Sequence, residues 1–479
     1  MSGTDSGGRH AASTRRRDAK LRQKERELAK ATERELEKTA EREAKKLDKQ
    51  KKHAKQPEPK AKRVKEPKAK RAKQPEPSGW VAALTAIGIV VILIIISAVA
   101  YQALIASRPP TVPAKSSSAL KDSAAAAPSG KDRPVAIASL GPLAAAIDAP
   151  REPLPGNPEL SGRLFVVAGG DVMMDRRVSE LIESEGGKAP LEDVASILKR
   201  GDFTILNLET PLSTRGEAGA KDVTFRGNPD GIAALVAAGV DAVTLANNHA
   251  LDYGDVALAD TIDLLGENKI AHTGAGANAK KAWAPAIVTT RGKRVAYLGW
   301  SYIEPGGFVA GDDSPGIAGA KGDPNEIAAA IKAAKTQADF VIVSFHWGVE
   351  YTDYPIDGQK ELAHTAVDAG ADLVASHHPH VIQGIEMYKD RLIAYSLGDF
   401  VFDHYSRKTG EAFILEATIG RTKTISARAI PVYLSEMGKP QVVTGEDADA
   451  ILDRLKEISD GFGTKMSIAN DVATIQVTK

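Results

Sequence analysis

Residues 372–386 read DLVASHHPHVIQGIE: a short apolar run that ends in His377, His378 and His380 around Pro379. A run this short suits a buried strand, and in open α/β sheets ligands sit at the carboxyl ends of the strands. Working outward, the same grammar repeats. Apolar runs of strand type lie at RLFVVAGG (163–170), FTILNLE (203–209), AVTLANN (242–248), VAYLGW (295–300), DFVIVSFHW (339–347) and RLIAYSLG (391–398). Helix-type stretches lie among them, such as PDGIAALVAAG (229–239) and PNEIAAAIKAAKTQA (324–338). This alternation predicts an α/β body with buried sheets. After Glu411 the pattern turns to strands, AFILEATIG and TISARAIPVYL, then one helix (448–460) and a last strand (473–478).

Upstream of this body the 479-residue chain changes character. Residues 1–79 carry 26 Lys+Arg against 13 Asp+Glu, and residues 80–479 carry 37 against 49, so the net charge of +1 hides a basic arm joined to an acidic body. The arm repeats an eight-residue unit, ERELAKAT (25–32), ERELEKTA (33–40) and EREAKKLD (41–48), and carries KQPEP twice, at 55–59 and 73–77. Eight residues drift about 80° around a helix, so no apolar seam forms and a coiled coil is excluded. A solvated charged helix followed by a Pro-broken segment fits, serving either as a polybasic contact for anionic lipid or as a disordered topogenic tail. Interleaved acids and the absence of aromatics argue against nucleic acid as a partner.

The stretch WVAALTAIGIVVILIIISAVAYQALIA (80–106) carries no charge. Roughly 20 apolar residues suffice to cross a bilayer, so one transmembrane helix is expected here. The basic flank upstream puts the N-terminus in the cytoplasm and the body outside. The expected organisation is therefore a basic, largely disordered cytoplasmic arm (1–79), a membrane span (80–106), an Ala/Ser/Pro-rich linker (107–160) and the folded domain (161–479), with the membrane itself as a partner. The chain has no cysteine, which excludes disulfides, thiolate nucleophiles and zinc–sulfur sites.

The polar residues at the strand ends carry the chemistry. Asp171, Asn207 with Glu209, Asn247-Asn248-His249, His346, and His377, His378 and His380 all fall there, and five of the ten histidines belong to three strand ends. Carboxylate, imidazole and amide oxygen together suit Mn, Fe or Zn better than Ca or Mg, and their number allows one or two ions. A bridged pair of ions would activate a water and neutralise an oxyanion. His249 reads as a proton donor with Asp252 orienting it, although a histidine that merely caps the following turn would look the same. Trp347, Tyr351 and Tyr354 are candidates for a substrate groove, Asp399 and Asp403 for substrate contact or turn hydrogen bonding, and Met173 and Met174 for the core.

GGDVMMDRRV (169–178), NLETPLS (207–213), LANNHALDYG (245–254), HWGVEY (346–351), HHPHVIQGIE (377–386) and YSLGDFVFD (395–403), in this order and spacing, resemble the CapA family of poly-γ-glutamate capsule synthesis proteins, a branch of the calcineurin-like metallophosphoesterase superfamily. The resemblance covers about residues 161–435. It implies a four-layer αββα metallophosphatase-like sandwich and a role in making or exporting a γ-linked glutamate polymer beside membrane-bound synthase or export subunits. It further implies metal ligands at Asp171, Glu209 (bridging), Asn248, His346, His378 and His380, and a catalytic histidine at His249. The superfamily's D-x-H opening is Asp171-Val-Met173 here, so one imidazole ligand is missing. Three functions stay open on this reading: a metal-dependent hydrolase or transferase, an accessory protein that binds or guides the polymer without chemistry, and a phosphatase of lipid or nucleotide substrates with no capsule role.

Overall fold

The structure, a computed structural model, describes residues 162–477. Two mixed sheets stack face to face. The larger runs, edge to edge, β17 (Met466–Ala469), β18 (Val472–Ile475), β15 (Thr424–Leu434), β14 (Glu411–Gly420), β1 (Arg163–Val172), β2 (Phe203–Leu208), β3 (Ala242–Thr244) and β4 (Ala271–Thr273). The short strands β13 (Asp399–Val401) and β16 (Pro440–Val442) attach to β1 and β15. The smaller sheet runs β11 (Ile385–Tyr388), β12 (Arg391–Ala394), β10 (Leu373–Ala375), β9 (Phe340–His346), β7 (Lys293–Ser301) and β6 (Ala286–Thr290). A two-stranded ribbon pairs β5 (Ala275–Gly276) with β8 (Gly316–Ile317). Within each large sheet the central strands are parallel, β1 to β4 in one and β7, β9, β10 and β12 in the other.

Strand alternation builds three cores. Leu164, Val166 and Ala168 of β1 meet Tyr297, Phe340, Ile342 and Leu373 of the other sheet in an inter-sheet core. The opposite faces turn outward: Phe165 and Val167 pack under the helices Arg176–Glu185, Ile232–Ala237 and Gly254–Glu267, while Val341, Val343 and Phe345 pack under Pro324–Lys335 and Asp357–Ala369. The layers are thus helix, sheet, sheet, helix. Helix Glu446–Asp460 adds Ile451, Leu452 and Leu455 to the inter-sheet core. Burying such a side chain contributes roughly 1.5–3 kcal/mol. The one buried tyrosine hydroxyl between the sheets is satisfied locally, Tyr297 Oη lying 2.8 Å from Ser344 Oγ.

The end of β1 is where the fold prepares the site. Over residues 163–168 its neighbour is antiparallel β14; from Asp171 it is parallel β13. Gly169 and Gly170 make the exchange possible, because a Cβ on Gly170 would stand 1.9 Å from the carbonyl oxygen of Gly398. The register then sets Asp171 opposite both Asp399 and Asn207.

The expected membrane span needs correction. No helix among the described residues is long and apolar enough to cross a membrane. The longest of them, Glu446–Asp460, has 15 residues and a strongly acidic first turn; at 1.5 Å per residue it reaches about 22 Å, short of a hydrocarbon core of about 30 Å. The stretch 80–106 lies outside the described residues, as do the arm 1–79 and the linker 107–160. The transmembrane helix, the single-pass topology with an extracytoplasmic domain, and the membrane and membrane-bound subunits as partners are therefore not carried forward.

Candidate metal centre

The carboxyl ends of β1, β2, β3, β9 and β10 converge at one end of the inter-sheet core. Asn207 ties the carboxylates together: its Nδ2 donates to Asp171 Oδ1 at 2.8 Å and to Glu209 Oε2 at 3.2 Å, and its Oδ1 accepts from Asn247 Nδ2 at 3.0 Å. Across the sheets, His346 Nδ1 lies 3.5 Å from Asn207 Nδ2, and His346 Nε2 lies 2.7 Å from Asn248 Oδ1 and 3.1 Å from His378 Nδ1.

The HHPH loop holds its imidazoles in costly conformations. His378 and His380 have φ of +97° and +56°, left-handed values that cost a non-glycine residue about 1–3 kcal/mol each. Backbone bonds enforce them: His378 N–H donates to Asp171 Oδ2 (3.1 Å), His377 N–H to the Phe345 carbonyl (2.9 Å), and Tyr351 N–H to the Pro379 carbonyl (2.8 Å). Strain held this firmly at a polar cluster points to function.

Three groups of metal-competent donors result, one of them Glu350 with His378 and His380; the other two share a carboxylate. Of these two, Glu209, His346 and His378 form one, and Asp171, Glu209 and His380 the other, with donor atoms inside each group within 4.8 Å of one another. Glu209 belongs to both. Its Oε1 is buried without a hydrogen-bond partner, 3.6 Å from His346 Nε2 and 4.0 Å from His380 Nε2. An orphaned carboxylate oxygen between imidazoles is what a shared cation would satisfy. Protonation agrees. Burial, reinforced by His380, pushes His378 down to about 3, and burial with the neighbouring His378 holds His346 well below the usual histidine range, so both offer neutral, ligating nitrogens. Burial, then the charge of Asp171, raises Glu209 well above the usual carboxylate range. Burial also opposes the charged form of His380, yet Asp399, 2.8 Å from its Nδ1, lifts it well above the usual value; Asp399 itself is raised by burial to about 7. Asp171 is lowered despite burial, because His377 Nδ1 stands 3.1 Å from Oδ1.

Beside the donors stands a second unit. His249 Nδ1 lies 2.5 Å from Asp252 Oδ2, which also accepts from Phe225 N–H at 2.8 Å, and Lys221 Nζ bonds Asp252 Oδ1. Burial lowers His249 below its usual value although Asp252 draws it up. With the ring proton directed to Asp252, Nε2 remains for the cavity. That cavity, about 660 Å³, is lined by Asn248, His249 and His380 and by the cations Arg176 and Lys221.

The structure thus brings together all six expected ligands and sets the pair His249–Asp252 next to them. Met173 and Met174 are fully buried in the outer core. Trp347 departs from expectation. It is buried, stacked on Phe345 at 4.6 Å, with Nε1 donating to the Tyr395 carbonyl, and lines no groove. Tyr351 does line the cavity; Tyr354 does not. Asp399 bonds His380, and Asp403 accepts from Tyr405 Oη at 2.8 Å on the cavity wall. Sequence reasoning named Asn207 only as one of the strand-end polar residues and gave no role to Lys221 or Glu350. Asn207 stood visibly at a strand end, whereas the loop holding Lys221 carries no local signal.

Residues 165–404 match the family described as bacterial capsule synthesis protein PGA_cap. The chain belongs to this family. The PGA_cap match contains every donor from Asp171 to Asp399. Among relatives, the chain is 33% identical over 288 residues to a capsule biosynthesis protein CapA of Bacillus anthracis, covering 59% of this chain and 70% of the relative. It is likewise 33% identical over 272 residues to a PGA biosynthesis protein CapA of Bacillus subtilis, covering 56% and 70%. A probable polyglutamine synthesis accessory protein of Mycobacterium tuberculosis is 32% identical over 336 residues, covering 66% and 88%. Among solved structures, a 5'-nucleotidase precursor from Thermus thermophilus aligns with TM-score 0.36 at 13% identity, over 62% of this chain and 59% of that one.

Proposed function

We propose that this PGA_cap protein is a metal-dependent hydrolase or transferase that acts on an anionic polymer, at the γ-glutamyl linkages of a poly-γ-glutamate-type chain or at the phosphoester linkages of another envelope polymer. The reading is carried by one observation: two donor groups share Glu209, whose Oε1 is otherwise orphaned, beside the His249–Asp252 pair. Asn248, His346, His378 and Glu209 would hold one divalent ion, and Asp171, His380 and Glu209 a second. Mn, Fe or Zn bound there supplies an acidified water and neutralises charge developing on the substrate.

The chain's own residues do the rest. Asp252 keeps the proton of His249 on Nδ1, so Nε2 takes a proton from the attacking water. As the new bond to phosphorus or carbonyl carbon forms and the old one breaks, the same nitrogen returns that proton to the leaving oxygen or nitrogen. Lys221 holds the Asp252 carboxylate from behind and also bonds the Asn248 carbonyl. On the cavity wall Arg176 and Lys221 stand among Asp222, Glu350, Asp399 and Asp403, so a polyanion would be received through the bound ions rather than through a positive rim. A second reading, a polymer-binding accessory protein, draws on the name of the mycobacterial relative and on Met173, which leaves the second ion three protein donors.

Elemental analysis of the full chain, with turnover of bis(p-nitrophenyl) phosphate and of a γ-linked glutamate polymer, separates the two. The hydrolase reading expects near-stoichiometric metal, and His249→Ala keeping that metal while losing about 10²–10⁴-fold in kcat. A folded chain that takes up no metal after reloading, or that turns over neither probe, refutes it in favour of the accessory role.

A further inference from the structure

The two donor groups are unequal. The Asn248 side has four protein donors; the Asp171 side has three, because position 173 is methionine. Its sulfur cannot be recruited: Met173 Sδ accepts the Asp175 N–H at 3.1 Å and the side chain is fully buried in the outer core. One carboxylate nevertheless approaches from the cavity. Glu350 is exposed, and a carboxylate oxygen of it lies within 4.8 Å of ring nitrogens of both His378 and His380. His380 is common to this group and to the three-donor group, as His378 is to this group and the four-donor side, so the carboxylate stands between the two positions and the three-donor one is the one short of a ligand.

The loop that carries Glu350 is held in place. Gly348 has φ +90°, and a Cβ there would meet Gln359 Oε1 at 2.6 Å; Tyr351, at φ +62°, bonds the Pro379 carbonyl and stacks its ring on His380 with centroids 6.0 Å apart. A conformation costing about 1–3 kcal/mol at Tyr351 is thereby fixed one residue from the carboxylate. Apart from Lys408, which bonds the Tyr351 carbonyl, the Glu350 side faces the cavity it lines.

We propose that Glu350 is a metal ligand: its carboxylate completes the coordination of the ion held by Asp171, Glu209 and His380, making up the donor lost at Met173. This rests on the metal-dependent reading above. The two positions then differ in chemistry. Three carboxylates and one imidazole form a harder set, at which Zn²⁺ has a smaller advantage over Mn²⁺ than at the Asn248 position with its two imidazoles. Glu350 is also the one exposed ligand in the cluster, so its ion is the first to exchange.

The test is Mn²⁺ titration of the full-length chain by calorimetry, with electron paramagnetic resonance of the loaded protein. Wild type should bind two ions and show the multiline spectrum of an exchange-coupled pair. Glu350→Gln should weaken one site by about 10–100-fold and leave the six-line signal of an isolated ion, with Glu350→Asp restoring part of the coupling. His346→Ala should instead remove the Asn248-side ion and leave a single site whose preference for Zn²⁺ over Mn²⁺ is smaller than that of the site lost. Glu350 is exposed, so the metal-free thermal midpoint of Glu350→Gln should match wild type, which reports folding separately. Two coupled Mn²⁺ ions at unchanged affinity in Glu350→Gln overturn the proposal, as does a single wild-type site that Glu350→Gln leaves untouched. Wild type without any bound Mn²⁺ would instead defeat the metal-dependent reading on which it rests.

Discussion

Replacing Asp252 by asparagine removes one charge and almost no volume. Oδ2 serves two donors, His249 Nδ1–H and Phe225 N–H, and Oδ1 serves the Lys221 ammonium. An asparagine keeps its oxygen on the two-donor side and turns its NH₂ toward Lys221, donor against donor. A hydrogen bond to a charged group contributes about 1.5–3 kcal/mol. The Lys221 side chain is 21% exposed and can turn to water, so the net loss of stability should be about 1–2 kcal/mol. The catalytic loss should be far larger, about 10²–10⁴-fold in kcat, because the imidazole loses the carboxylate that fixes its tautomer and stabilises its protonated form. The pH profile gives an independent sign. Burial already holds His249 below its usual value and Asp252 opposes that, so Asp252→Asn lowers it further. A base must be neutral to act, hence the acidic limb of kcat against pH should move to lower pH even as the plateau falls. The assay is bis(p-nitrophenyl) phosphate turnover from pH 5 to 8 on the Mn-loaded chain, with metal content measured in parallel. A variant within about threefold of wild type, or one that loses metal in proportion to activity, would refute the assignment of His249 as proton carrier.

Gly170→Ala forces a Cβ to within 1.9 Å of the Gly398 oxygen, so β13 must move; a loss of about 1–3 kcal/mol or more in urea denaturation is expected, together with weaker metal binding as Asp399 leaves His380. Unchanged stability would show that the exchange of strands beside β1 does not depend on the glycine. In the metal-free protein Glu209 and Asp399 bind protons more tightly folded than unfolded, so their contribution is lost as pH rises from the ordinary carboxylate values, through about 7 for Asp399 and through the raised value of Glu209; the lowered His346 and His378 contribute with the opposite sign up to the ordinary histidine value, and Glu209 must release its proton to take an ion. Added Mn²⁺ should therefore raise the thermal midpoint more at pH 7.5 than at pH 5, and an equal rise at both would contradict the burial of an uncompensated Glu209. His346→Ala should cut bound metal from two equivalents to one in elemental analysis, and retention of both would remove His346 from the ligand set.

The long central strands were legible because each is buried on both faces and reads as an unbroken apolar run. β5, β8, β13 and β16 were not, since two or three residues carry no period and are defined only by their partners. The ligands were legible as residue types at strand ends; what joins them was not. Asp399 reaches His380 because β13 replaces β14 beside β1, a consequence of a carbonyl passing over Gly170. Lys221 reaches Asp252 from 31 residues away, along a loop without pattern. Glu350 stood in the quoted HWGVEY motif, but only the left-handed turn at Tyr351 directs attention to it.

Trp347 shows how far strand alternation alone would have carried the reading. In β9, Phe340 and Ile342 face the other sheet, while Val341, Val343, Phe345 and, just past the strand, Trp347 face the outer helices. Period two therefore places His346 on the inter-sheet face and Trp347 on the opposite one, where no substrate reaches it. In β2, Phe203 and Ile205 face inward, so Asn207 does too, and it meets His346 across the gap at 3.5 Å. The metal-competent cluster is the last layer of the inter-sheet core, with apolar side chains exchanged for donors where the strands end. Packing of Phe203, Tyr297, Phe340 and Ile342 then sets the spacing between the donors of one sheet and those of the other. The stability of that core and the geometry of the donors are one property, so a cavity cut into it, as by Ile342→Ala, should weaken metal binding without touching a ligand.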